Sequence, residues 1–131
     1  MEPFKKFITE QFMIARSNMP QINDVDEFVS YLNSIGIEND LDTDLVNHFK
    51  PTQSVGFDEY KIRNIQMQMR KYPDSKMTPI IVSSDGYVID GHHRYLASSR
   101  TQTKIPFILV HTTTNKLLKI AYEYTSSNQK S

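Results

Sequence analysis

The chain has 131 residues, no cysteine, and fifteen lysines and arginines against fifteen aspartates and glutamates, giving zero formal charge. That length points to a single domain. The lack of cysteine excludes disulfides, thiolate chemistry and sulfur-ligated metals, and the neutral balance argues against a protein held to DNA mainly by its overall charge.

No apolar run reaches membrane-spanning length and no secretory pattern opens the chain, so no membrane partner and a cytoplasmic location are expected. Phe4, Phe7, Ile8, Phe12 and Ala15 recur at helical spacing, predicting a helix over residues 4–16 that is broken at Asn18–Gln21. A second helix is predicted from Asp24, with Glu27 three residues on as in a capping box, to a stop at Gly36. Residues 38–43 are acidic and polar and read as a surface loop. Residues 1–44 are therefore expected to form a helical extension packed on a core domain of residues 45–131.

Leu45 to Phe49 reads as a short strand ended by Pro51, with a polar turn at 52–54. A helix follows from 58 to 71, with Ile62, Ile65 and Met69 on its apolar face and Lys61, Asn64 and Gln68 on a second, polar one. Ile80 to Ser83 and Tyr87 to Asp90 are β-branched runs joined by Asp85–Gly86, a strong hairpin signal. Asp90 is placed to cap the helix opened by Gly91, predicted over 91–99. A strand at 105–110 begins with Pro106 near its start, which suits an edge or a strand start. A last helix is predicted over 115–124, followed by a frayed polar end at 125–131. Short strands between helices indicate an α+β domain with a small mixed sheet flanked by helices.

The chemistry concentrates at Gly91–His92–His93–Arg94. The free N–H groups of a first helical turn, a guanidinium fork and imidazole make an anion site. A zinc site is not expected, because adjacent histidines point to different sides of a helix and no third ligand stands at a recognised spacing. Lys61 is a candidate to hold a terminal phosphate, with Asn64 orienting it. Asp58, Glu59, Asp85 and Asp90 are candidate metal or base carboxylates, and phosphoryl transfer would ordinarily bring Mg²⁺. No Walker-type or dinucleotide glycine loop occurs.

Asp85–Gly86–Tyr87–Val88–Ile89–Asp90–Gly91–His92–His93–Arg94–Tyr95–Leu96–Ala97 resembles the signature of the ParB/sulfiredoxin-like superfamily. The likeness extends to Phe49–Ser54, Asp58–Ile65 and Ile105–Val110, covering about residues 45–111. The N-terminal helices resemble those of small phage-encoded members. The resemblance implies a nucleotide partner, ATP or another nucleoside phosphate with Mg²⁺, whose phosphates Lys61, Asn64, Gly91, His92, His93 and Arg94 would hold. Members include ParB clamps that bind CTP and DNA, sulfiredoxins that use ATP, and a kinase branch acting on free serine. His92 stands where sulfiredoxins place their reactive cysteine, so their reaction is excluded. The Asp–Gly–His–His run is nearer the kinase branch, with Glu59, Asp90 and His92 as catalytic candidates and a small hydroxyl compound as acceptor. The expectation is a nucleotide-binding, phosphate-transferring or phosphate-releasing enzyme. A DNA-associated protein or nuclease would instead need Lys50, Lys61, Arg63, Arg70 and Lys71 in one patch. A non-catalytic nucleotide- or protein-binding factor is the third reading.

Overall fold

The computed structural model describes residues 14–73 and 76–130, the last four of these by backbone alone. A five-stranded mixed sheet lies between two helical layers. Its strands are β2 (Asn39–Asp44), β3 (Lys50–Pro51), β5 (Ile80–Ser83), β6 (Tyr87–Asp90) and β7 (Ile105–Val110), in the order β2-β7-β5-β6-β3. The β2–β7 and β5–β6 pairs are antiparallel, and β5–β7 and β3–β6 are parallel. A separate two-stranded parallel ladder joins β1 (Ile14–Ala15) to β4 (Gln53–Val55). The helices are α1 (Val25–Ser34), α2 (Glu59–Lys71), α3 (His92–Thr101) and α4 (Thr114–Lys130). No helix among the described residues is long and apolar enough to cross a membrane.

The strand period of two sorts the apolar side chains onto both faces. Ile81, Ile89, Ile108 and Val110 pack with Phe28 and Leu32 of α1 and Leu117 and Ala121 of α4. Ile80, Val82, Val88, Ile105 and Phe107 pack with Ile62 of α2 and Tyr95 and Ala97 of α3. The central strand β5 is buried on both sides, which is why it reads as a continuous apolar run rather than an alternating one.

Several local expectations change. The predicted helix over 4–16 falls mostly outside the described residues; where it is described, Ile14–Ala15 is a strand and Arg16–Asn18 a single 3₁₀ turn. Residues 38–43 are not a loop, because Asn39–Asp44 pairs along its length with β7. Its acidic side chains hid the strand, since β2 is almost wholly exposed on both faces and shows no alternation. The Thr43–Pro106 pair cannot be hydrogen-bonded, as proline has no N–H, so the odd-numbered groups of β2 face outward. Asp42 Oδ1 accepts from the Thr43 N–H at 2.8 Å and Asp44 Oδ1 from the Leu45 N–H at 2.7 Å. The acidic run thus occupies two donors of an edge that would otherwise pair with another strand.

Residues 45–49 form a turn rather than a strand, with Val46 buried as an anchor, and pairing to β6 starts at Lys50. The polar segment at 53–55 is β4 rather than a turn. Helix α3 runs two residues beyond 99, and α4 continues through Lys130 instead of fraying from 125.

Candidate functional site

Chain direction creates the site where β6 gives way to α3. Gly91 takes φ +85, the left-handed conformation that side chains disfavour. A Cβ there would also lie 2.7 Å from both Arg94 Nη2 and Ile80 Cγ2. Gly91 is itself the N-cap, with no side-chain capping bond, which leaves the first-turn amides without a side-chain acceptor. Asp90 does not cap the helix as the sequence pattern indicated. Its carboxylate turns back to Arg94, 3.6 Å away, and accepts the amides of Ile22 and Gly91.

Beside this turn is a polar cleft of about 260 Å³. One wall is Asp90 to Arg94; the second is Lys61 and Ile65 of α2; the third is Arg16 and the loop Met19–Asn23, with Gln53 between. Among the described residues three cations, Arg16, Lys61 and Arg94, face a single carboxylate, Asp90. A chain of zero overall charge therefore holds a locally positive cleft.

The two histidines are braces. His92 Nε2 accepts from the amides of Thr52 and Gln53, both at 3.2 Å, tying β4 to the start of α3. Its ring is pushed down to about 4, first by burial and then by the neighbouring His93, against the Val88 carbonyl, so it is neutral near pH 7. His93 Nε2 accepts the Asp58 amide at 3.0 Å. Asp58 in turn caps α2 through the Lys61 amide, so His93 sets the start of α2 and with it the place of Lys61. Burial holds the His93 ring below its ordinary value, reinforced by the charges of Lys61 and Arg16. With both Nε2 atoms accepting, the proton of each neutral ring belongs on Nδ1.

Burial raises Asp90 to about 6, against the opposing pull of Arg94, the Ile22 amide and Lys61. Arg94 also donates to the Pro79 carbonyl at 3.3 Å, and its Nε is buried without a partner. Its guanidinium is thus anchored at the cleft by internal bonds rather than held out to solvent.

Of the residues singled out from the sequence, Lys61, Asp90, Gly91, His92, His93 and Arg94 line the cleft. Glu59 and Asn64 do not. Glu59 is exposed and makes a bidentate pair with Arg100, both contacts 2.8 Å, which holds its carboxyl below the ordinary range. Asn64 is exposed, and Ile65, one turn on from Lys61, lines the cleft in its place. Arg16 and Gln53 are cleft residues that spacing did not single out. Arg16 follows β1 and Gln53 stands on β4, and the pairing of those strands, which leaves no mark in local sequence, brings them together at the site. Among the described residues no cluster of three His, Asp or Glu side chains is placed to hold a metal ion.

No family model and no curated protein matches the chain. Among solved structures the chain is similar to a Pnob8-like ParB-N domain, with 15% identity and a TM-score of 0.49. The match covers 70% of this chain and 37% of that one, so the chain spans little more than a third of its length.

Proposed function

We propose that the cleft binds the phosphates of a nucleoside phosphate. The observation that carries this reading is the uncapped start of α3 facing the same cleft as Arg16, Lys61 and Arg94. Helix-start amides and converging cations are complementary to a multiply charged anion. The cleft lies below the roughly 300–1,000 Å³ usual for a pocket enclosing a whole drug-sized ligand. It is sized for the phosphates and sugar, with the base projecting. The resemblance of Asp85–Ala97 to the ParB/sulfiredoxin-like signature supports the same assignment.

Phosphate transfer or release is the further step of this proposal. Asp90 is the one carboxylate at the cleft among the described residues, and a group near pH 6 suits proton acceptance near neutrality. Mg²⁺ arriving with the nucleotide would meet Asp90 and retain most of its water, as this ion commonly does. Glu59 is not positioned for the role while it pairs with Arg100. The DNA-associated reading is less well supported. At about 100° per residue, Arg63 and Arg70 share one side of α2 and Lys61 lies on the other. The helix therefore divides the cations that a single patch would need.

Titration calorimetry with ADP, ATP, CTP and pyrophosphate, with and without Mg²⁺, tests the binding. One saturable site is expected, weakened about tenfold by Lys61→Ala and further by salt. Equal affinity in the variant, or no saturable binding, removes the assignment.

A further inference from the structure

Among the described residues of the cleft, Gln53 is the one side-chain amide that is buried, since Gln21 and Asn23 are exposed. It is 5% exposed and lines the cleft between Arg16 and His92. Its backbone is held twice, by pairing with Ile14 in the β1–β4 ladder and by its amide on His92 Nε2. The side-chain Nε2 donates to the Val55 carbonyl at 2.9 Å. That bond decides which way the amide lies, since a carbonyl can face only the NH₂ end. Oε1 is therefore a fixed acceptor. It has no partner among the described residues, and it is not one of their fully enclosed unpartnered atoms, which are Arg94 Nε and Ser99 Oγ. The small exposure that Gln53 retains is to the cleft.

An oxygen acceptor repels an ionised phosphate oxygen and attracts a hydrogen-bearing group. Asp90, His92 and His93, acceptors along the same wall, are already engaged by Arg94 and by backbone amides, and the amides of Gln21 and Asn23 are exposed to solvent. A ligand that fills the cleft gains by placing a donor against Gln53 Oε1, next to the phosphates held by the cations. We propose that Gln53 is a specificity residue that accepts a hydrogen bond from a sugar hydroxyl of the bound ligand. The cleft would then select a phosphorylated hydroxyl compound, such as a nucleotide with its ribose, over a bare polyphosphate or a deoxygenated analogue. This inference rests on the phosphate-binding assignment above.

Calorimetry on the whole protein with three probes separates the two. Pyrophosphate has no sugar hydroxyl and reports the cationic cleft. ADP and 2′,3′-dideoxyADP differ only in the sugar hydroxyls. The unaltered protein is expected to bind ADP about five- to tenfold more tightly than the dideoxy compound. Gln53→Met, close in size but without the acceptor, should abolish that ratio and leave pyrophosphate affinity within about twofold. Equal binding of ADP and dideoxyADP by the unaltered protein, with pyrophosphate still bound, overturns the role of Gln53 and leaves the phosphate assignment standing. So does a ratio that survives Gln53→Met. Absence of all binding overturns both. Should Gln53→Met fail to fold, the comparison of the two nucleotides on the unaltered protein still decides the question.

Discussion

The two ends of α3 are built from the same parts and do opposite things. Each has an arginine facing a carboxylate, and each is flanked by a residue in the left-handed conformation. At the C-terminal end Arg100 meets Glu59 with two contacts of 2.8 Å, at the surface. At the N-terminal end Arg94 meets Asp90 at 3.6 Å, largely out of solvent. The pair with the better geometry holds Glu59 low and Arg100 high but is screened by water and contributes little. At the poorer pair lost hydration dominates and pushes Asp90 up and Arg94 down. Burial, rather than contact quality, decides the direction in which each pair is shifted.

The flanking residues make the sharpest test of that contrast. Gly91→Ala places a Cβ at 2.7 Å from Arg94 Nη2 and Ile80 Cγ2, in a backbone conformation unfavourable to alanine. A loss of about 2–4 kcal/mol in urea unfolding is expected. A change below about 1 kcal/mol would mean that the turn can relax and that the cleft is not rigid.

Acidity separates the two ends next. Asp90 is raised to about 6 in the folded protein from an ordinary 3.8. The folded state therefore holds the extra proton between those values, and this group's contribution to stability falls as pH rises from about 4 to 6. His92, lowered to about 4 from 6.5, acts in the opposite direction across the same window, because the unfolded chain holds the extra proton. The two contributions offset each other in the native protein. Asp90→Asn leaves His92 unopposed, so stability should climb more steeply between pH 4 and 6.5, by up to about 3 kcal/mol. Chemical denaturation at several pH values reads the slope. A slope unchanged by the substitution would place Asp90 in water, like Glu59.

The smallest effect is at the far end. Gln102 has φ +53 without being glycine. Gln102→Gly should stabilise by about 0.5–1 kcal/mol, visible as a small rise in melting temperature. It should leave ADP affinity untouched, since Gln102 is not a cleft residue. A loss of affinity would show that the two ends of α3 are coupled.

Much of this molecule is written in short stretches of chain. The Asp85–Gly86 hairpin, the glycine that turns into α3, the apolar faces of α1 and α2 and the capping aspartates Asp24 and Asp58 all depend on neighbours within one turn or one strand. The likeness of Asp85–Ala97 to the ParB/sulfiredoxin-like signature is equally local. Strand β2 was hidden because an exposed edge needs no apolar alternation, only a partner 60 or more residues away. Asp90 as a cap failed because Arg94 and the Ile22 amide compete for its carboxylate, and Ile22 arrives from another part of the chain.

The sequence by itself determined the secondary elements around the hairpin, the α+β class and the cluster Gly91–Arg94, because hydrophobic period and backbone freedom act over a few residues. The tertiary structure alone decided that His92 and His93 are braces, that Glu59 is paired with Arg100, and that Arg16 and Gln53 belong to the cleft. Those outcomes depend on which distant groups meet and how much water they lose, and neither quantity is encoded in spacing along the chain.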